Sequence, residues 1–302
     1  MTAEPSGQVR PEPPLRVGLV TCRELPEPDP DSDLLLASLQ QAGVEAELLA
    51  WNDPDAASPG VFDRLILRSS WDYHLFPAEF VAWIDEAARL TCLSNSAPIV
   101  YWNVHKRYLE SLAAAGIRTV PTAWLRRGTE ASLRRILEEN GWTDFVVKPS
   151  ISASSWQTYR FRVEHHELAQ AESILEELLP DRDMMIQPYV RGVDTGGEKA
   201  VMWIDGELTH AVRKKTRFVG QTEFVAGVTE ISPKERAIAE RSVAFAAAES
   251  GGWPLYARVD LMPDEEGPMV SELELIEPSL YLAQSPAALD RLVLAIATAP
   301  AS

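Results

Sequence analysis

Two segments near the C-terminus carry the densest chemistry in the chain: Tyr256-Ala-Arg258-Val-Asp260-Leu and Ser271-Glu272-Leu-Glu274-Leu-Ile-Glu277-Pro. Side chains on a strand alternate faces, so Arg258 and Asp260 share one face, as do Glu272 and Glu274 on the next strand. If the two faces coincide, three carboxylates converge. Such a cluster repels itself unless a hard divalent cation with oxygen ligands neutralises it, which points to magnesium bridging to nucleotide phosphates. A solvated hairpin of period-two polarity gives the same spacing.

Lys148 ends an apolar run, Phe145-Val-Val-Lys-Pro149, and is followed by the small residues Ser150-Ile-Ser-Ala-Ser-Ser155. A small-residue loop lets backbone amides approach a phosphate while a lysine supplies the point charge; a snorkelling strand-end lysine reads the same way. Lys106, in the first turn of the helix expected to open at Asn103, is by itself an ordinary surface lysine. Arg68-Ser-Ser-Trp71-Asp-Tyr73 follows a strand directly. Ligands gather outside the carboxyl ends of strands in open α/β sheets, so Arg68 suits a substrate carboxylate and Trp71 with Tyr73 could wall its pocket, or the aromatics pack a domain interface. Thr21-Cys22-Arg23 invites the same reading more weakly, and His74 and His105 are given no catalytic role.

These residues must be positioned by elements that the patterning predicts. Strands are expected at 16–21, 44–51, 64–68 and 98–101, with helices at 33–42 and 80–90 between them, an alternation that argues for a parallel α/β sheet. A helix from Asn103 to about Ala115 opens a different, α+β pattern. It continues with a strand after Pro121, a helix over 129–140, strands at 144–148 and 156–163, a helix to about Leu179 and a strand at 184–187. Strands 199–204 and 208–212 join through Asp205-Gly206, a two-residue hairpin signal. Ser232-Pro-Lys-Glu235 is a capping box that opens a helix to about Ser250. Strands 255–262 and 269–276 follow, and 213–229 is basic, polar and without period.

The chain has 302 residues, 45 acidic against 28 Lys or Arg, for a net charge of −17, and is 46% hydrophobic. It can bury substantial cores in two or three domains, and its acidity disfavours nucleic acid and anionic membranes as partners. Residues 1–14, rich in Pro and Glu, are expected as a disordered leader. Two cysteines and no long apolar run read as an intracellular, cytoplasmic chain. Arg16 to Cys22 is not followed by Gly-x-Gly-x-x-Gly, which disfavours a dinucleotide-dependent oxidoreductase.

Taken in order, these features resemble the ATP-grasp superfamily over Asn103 to Ser279, with spacing most like glutathione synthetase and the D-alanine:D-alanine ligases. They are a helix-start lysine, Gly-Ile-x-x-Val-Pro-Thr, a strand-end lysine with its small-residue loop, Gln187-Pro-Tyr-Val190, Gly-Glu198-Lys and the Arg-x-Asp…Glu-x-Glu pair. The resemblance implies an ATP-grasp fold, α/β and α+β, with an N-terminal parallel substrate-side domain (15–102), a central lid subdomain (103–190) and a C-terminal subdomain with the metal site (191–302). It implies an ATP- and magnesium-dependent ligase that activates a small-molecule carboxylate as an acyl phosphate for attack by an amine or other nucleophile.

By the same resemblance Lys106, Lys148, Ser154 and Ser155 meet the ATP phosphates. Gln187, Pro188, Tyr189 and Val190 meet adenine, and Glu198 the ribose, with Asp194 the weaker candidate. Asp260, Glu272 and Glu274 bind two magnesium ions, and Arg258 and Arg213 act on the transferred phosphoryl group. Lys214 to Thr229 is expected to close over the intermediate, and a homodimer is the expected assembly. Two departures stand out: Ser152-Ala-Ser-Ser155 replaces a glycine-rich loop, and Glu274 replaces the usual Asn.

The Arg-x-x-Trp-Asp-Tyr and Glu-Leu-Glu-Leu-Ile-Glu-Pro-Ser segments also resemble the small ATP-grasp enzymes that include the cyclo-ligase forming D-cycloserine from O-ureido-serine. That implies intramolecular attack with release of ammonia and carbon dioxide. A nucleotide-binding sensor without turnover is the non-enzymatic alternative.

Overall fold

The computed structural model describes residues 13–221 and 224–298; residues 1–12 of the expected leader and residues 222–223 of the expected closing stretch lie outside the described residues. The first strand, β1 (Arg16–Thr21), is buried at every residue past Arg16. Next come α1 (Ser32–Gln41), β2 (Glu45–Ala50), β3 (Arg64–Ser69), α2 (Pro77–Leu90) and β4 (Cys92–Ser94). The strands pair in parallel in the order β2-β1-β3-β4. Burial on both faces accounts for the near-continuous apolar character of β1 and β3.

Pro98 to Tyr101, expected as a strand, lies instead in α3 (Ala97–Asn103), with Pro98 in its first turn and Ala97, Ile99, Val100 and Asn103 buried. A four-residue apolar run has no period by which to separate strand from buried helix. Asn103, expected to open a helix, therefore ends one. Its amide donates to the Leu273 carbonyl and accepts from the Leu275 N–H.

The next unit comprises α4 (Tyr108–Ala114), β5 (Ala123–Leu125), α5 (Leu133–Asn140), β6 (Asp144–Pro149), β7 (Tyr159–Arg162), α6 (His165–Leu178) and β8 (Met184–Pro188). Its sheet is antiparallel, ordered β5-β8-β6-β7. Both α5 and β7 begin three or four residues later than expected.

The last unit runs through α7 (Val193–Gly196), β9 (Glu198–Ile204), β10 (Glu207–Lys214), β11 (Val225–Thr229), α8 (Pro233–Ser250), β12 (Tyr256–Met262), β13 (Met269–Glu274) and α9 (Pro286–Thr298). Its antiparallel sheet is ordered β11-β10-β9-β12-β13. The hairpin signal is realised with both Asp205 (φ 45°) and Gly206 (φ 88°) left-handed, as a twist-compatible two-residue turn requires. Ser232 and Glu235 form the reciprocal capping box of α8.

The cores show which units are fastened together. One core joins β1 and α1 (Val17, Leu19, Leu35, Leu39) to β9 and α9 (Ala200, Met202, Leu292, Ile296), so the first and last units share apolar contact. The middle unit closes one core from Leu133, Phe145, Phe161, Leu175 and Ile186, while its Tyr108, Leu109, Leu112 and Met185 pack into a second core with Val201, Val259 and Leu273 of the last unit. No helix among the described residues is long and apolar enough to cross a membrane.

Candidate functional site

The two strand faces left open by the sequence coincide. On adjoining strands Asp260 lies opposite Glu272 and Arg258 opposite Glu274, and two strands away Lys214 lies opposite Glu198. All six line one cleft between the sheets of the middle and last units, together with Lys106 and Lys148.

The cleft is a lattice of opposite charges. The Lys148 Nζ donates to Glu272 at 2.8 Å and the Lys106 Nζ lies 3.7 Å from the same carboxylate. Lys214 donates to Asp260 at 2.6 Å and stands 3.5 Å from Glu198. Arg258 takes both Asp260 oxygens, at 2.9 and 3.0 Å, and donates to Glu274. The lysines and Arg258 are all under a tenth exposed, so these interactions act in a medium where charge is poorly screened.

Burial pushes the Glu272 carboxyl up, but Lys106 and Lys148 outweigh it and hold it well below the usual carboxylate range. Burial likewise opposes Asp260, and Arg258 and Lys214 reverse the shift downward. At Glu274 burial wins over Arg258, with Asp260 and Glu272 adding repulsion, and the carboxyl rises to about 7. Glu277 is pushed up to about 8, by burial first and then by Glu274. Burial also raises Glu198 against the opposing pull of Lys214.

Lys106 sits in the turn between α3 and α4, not inside a helix, and that turn is tied to the small-residue loop. The Lys106 N–H donates to the Ser150 carbonyl at 2.9 Å and its Nζ to that of Ser152 at 2.8 Å. In the loop, Ser154 (φ 49°), Ser155 (φ 56°) and Gln157 (φ 50°) are left-handed without being glycine, each at a cost of about 1 kcal/mol. The ring of Trp156 offsets that strain, lying 4.8 Å from the His74 ring on one side and under the Arg182 guanidinium, also at 4.8 Å, on another. Arg182 further donates to the Gln157 side chain at 2.7 Å.

At the far end of the cleft Gln187, Pro188, Tyr189 and Val190 form one wall. Gln187 donates to Thr122 at 2.9 Å, the Tyr189 N–H donates to the Asp144 carbonyl at 2.8 Å, and the Tyr189 hydroxyl donates to Asp194 at 2.5 Å. Glu198 instead sits among the charges, accepting from Ser271 at 2.7 Å.

Two sequence assignments need correction. Arg213 is exposed and does not line the cleft; Lys214, the next residue, does. The pairing of β10 with β9 shifts at Leu208/His210, and one residue of slip moves side chains to the opposite face. Arg68 is wholly buried behind the cleft, where it donates to the Pro278 carbonyl at 2.9 Å and lies 3.5 Å from Asp31. Asp31 in turn accepts the N–H groups of Leu280, Tyr281 and Leu282. This clamp holds the turn after β13, and Arg68 is not among the residues that line the cleft.

Trp71 and Tyr73 do line the cleft, as does Glu277, and the Trp71 Nε1 donates to the Glu277 carbonyl at 2.9 Å. Glu277 was visible in the Glu-Leu-Glu-Leu-Ile-Glu-Pro run, but the bend after Glu274 puts it outside any strand alternation. The expected closing stretch contributes Lys215, Thr216, Arg217 and Phe218 to the cleft. Arg217 grips Glu27 of the first unit through two bonds of 2.8 and 3.1 Å.

Asp260, buried, and Glu272 and Glu274, 22% and 25% exposed, offer on adjoining strands the carboxylate oxygens that a hard divalent cation takes, although the three are not gathered within 4.8 Å of one another. The lysines that now neutralise them have the length and charge to meet phosphates instead.

Comparisons with known proteins agree on one family. Residues 17–95 match the family described as D-cycloserine synthetase DcsG, N-terminal domain. The cycloserine biosynthesis protein DcsG of Streptomyces lavendulae is 32% identical over 269 residues, covering 84% of this chain and 88% of that protein. The crystal structure of D-cycloserine synthetase DcsG superposes with a TM-score of 0.85 at 30% identity, covering 93% of this chain and 98% of the other. An ATP-grasp RimK domain protein from Sphaerobacter thermophilus gives a TM-score of 0.68 at 18% identity, over 94% of this chain and 100% of the other, a likeness of fold alone.

Proposed function

The chain belongs to the family of the D-cycloserine synthetase DcsG, and from that premise we propose that it closes the ring of D-cycloserine from O-ureido-D-serine at the expense of ATP. It is an enzyme of the ATP-grasp ligase type. The observation that carries the proposal is the cleft in which three buried lysines and Arg258 face Asp260, Glu272 and Glu274, flanked by an aromatic and acidic wall from Trp71, Tyr73 and Glu277.

In this reading Lys106, Lys148 and the amides and hydroxyls of Ser154 and Ser155 receive the phosphates. Gln187 to Val190 hold adenine, while Glu198, paired with Lys214 and Ser271, stays among the charges at the phosphate end. Asp260, Glu272 and Glu274 hold two magnesium ions, which when bound supply charge neutralisation of the phosphates. The lysines that now hold these carboxylates would be free to meet phosphate once a divalent cation neutralised the acids. Lys214 and Arg258 stabilise charge on the transferred phosphoryl group while the substrate carboxylate attacks it. The ureido nitrogen bonded to oxygen then attacks the acyl phosphate within the same molecule. Phosphate departs, and the carbamoyl group leaves, with uptake of water, as ammonia and carbon dioxide.

The division at 15–102, 103–190 and 191–302 serves this chemistry, the sheet β5-β8-β6-β7 with α5 and α6, which close a core among themselves, acting as the lid. ADP release measured against O-ureido-D-serine and a panel of amino acids and dipeptides tests the reading. Turnover is expected with O-ureido-D-serine, falling by at least about 10²-fold in Lys148→Ala and Glu272→Ala. ATP binding without ADP from any carboxylate would make the protein a sensor, and full turnover in both variants would refute the site.

A further inference from the structure

Six carboxylates line the cleft: Glu27, Glu198, Asp260, Glu272, Glu274 and Glu277. Five have a basic side chain within ion-pair distance, Glu27 from Arg217, Glu198 and Asp260 from Lys214, Glu272 from Lys148 and Glu274 from Arg258. Among the described residues Glu277 has none. It is 8% exposed and shares its stretch of the cleft lining with Tyr73.

A buried acid without a counter-charge costs several kcal/mol unless it is neutralised or a cation arrives. The position is nonetheless built rigidly. Trp71 holds the Glu277 carbonyl, Arg68 the Pro278 carbonyl, and Asp31 the three N–H groups that follow. A carboxyl fixed by its backbone, facing the cleft and without an ion-pair contact, with Lys106 and Arg258 acting on it only from farther away, is arranged for a cation brought by the ligand.

We propose that Glu277, with the Tyr73 hydroxyl beside it, is the subsite for the α-ammonium group of the amino-acid substrate. The assignment rests on the reading that an amino-acid carboxylate is activated in this cleft, and deepens it. Glu277 lines the same cleft as Glu274 and feels its charge, so a substrate whose carboxylate meets the phosphoryl group there can offer its ammonium, one carbon away, to Glu277. The aromatic rings of Trp71 and Tyr73 on that wall add a favourable environment for a cation. Fixing both carboxylate and ammonium fixes the direction of the remaining side chain, which ring closure requires. The upward shift of Glu277 to about 8 fits an acid that keeps its proton until an ammonium replaces it.

The test compares kcat/KM for O-ureido-D-serine and for its des-amino counterpart, 3-(ureidooxy)propanoic acid, in the wild type, Glu277→Gln and Tyr73→Phe, with ATP binding measured in parallel. The wild type should favour the amino acid by at least about 10²-fold, as sites built for a polar group reject analogues lacking it. In Glu277→Gln that preference should collapse below about tenfold with the KM for ATP unchanged, and Tyr73→Phe should fall between. An undiminished preference in Glu277→Gln, or none in the wild type, overturns the subsite while leaving the ligase reading intact. Absence of turnover of either compound by the wild type overturns the ligase reading, and the subsite with it. Should Glu277→Gln lose ATP binding through misfolding, Tyr73→Phe decides by the same criterion.

Discussion

Lys214 and Arg213 are neighbours in the chain with opposite fates, one buried in the cleft and the other exposed. Lys214→Ala should therefore lower turnover by at least about 10²-fold while Arg213→Ala stays within about threefold, measured as ADP release; equal losses would contradict the assigned face. The acids predict a pH dependence as well. Folded Glu274 and Glu277, raised to about 7 and about 8 from 4.5, hold their protons more tightly than the unfolded chain does. Their contribution to stability is complete below about pH 4.5 and is lost as pH rises through 7 and 8, whereas that of the lowered Asp260 and Glu272 is lost in acid. The Tm of the ligand-free protein should thus decline from pH 6 to 8.5, and Glu277→Gln should flatten the decline. A wild-type Tm that is level across that range would contradict the burial argument. These residue types were readable from spacing, but their partners were not: the slip in β10 and the seat of Arg68 against Asp31 and Pro278 depend on elements far away in sequence.

At the scale of elements, local signals read well where the chemistry is local. The Asp205-Gly206 turn and the Ser232 to Glu235 capping box each close within four residues, and both formed as expected. Pro98 to Tyr101 failed because four apolar residues suit a strand and a buried helix equally, and α9 was overlooked although Leu289, Leu292 and Ile296 already stand at helical spacing. The small-residue loop was recognised for its composition, but the device that holds it was not, since His74, Trp156 and Arg182 come from three separate segments. Trp156→Ala should release the left-handed serines and raise the KM for ATP by about tenfold with a smaller effect on kcat. Adding Ser154→Gly and Ser155→Gly, which permit that backbone without strain, should recover part of the loss. An unchanged KM in Trp156→Ala would mean the loop holds itself.

The whole molecule carries a net charge of −17 yet concentrates buried lysines and Arg258 in a single cleft, so attraction for phosphates is local and the remaining surface repels polyanions. The last unit shares one core with the first unit and another with α4 and β8 of the middle unit, an arrangement that sequence pattern cannot reveal because it depends on which apolar faces meet. The Arg217 to Glu27 bridge spans the cleft between the closing stretch and the first unit. Glu27→Ala should loosen closure and raise the ratio of ADP released to product formed several-fold, as water reaches the acyl phosphate; a ratio held at one would show that closure does not depend on the bridge. The central claim is that one substrate molecule is activated and closed on itself. Mass spectrometry of the products of O-ureido-D-serine with ATP and magnesium tests it directly. The account predicts D-cycloserine with one ADP, one ammonia and one carbon dioxide per turnover, and a product joining two substrate molecules would contradict it.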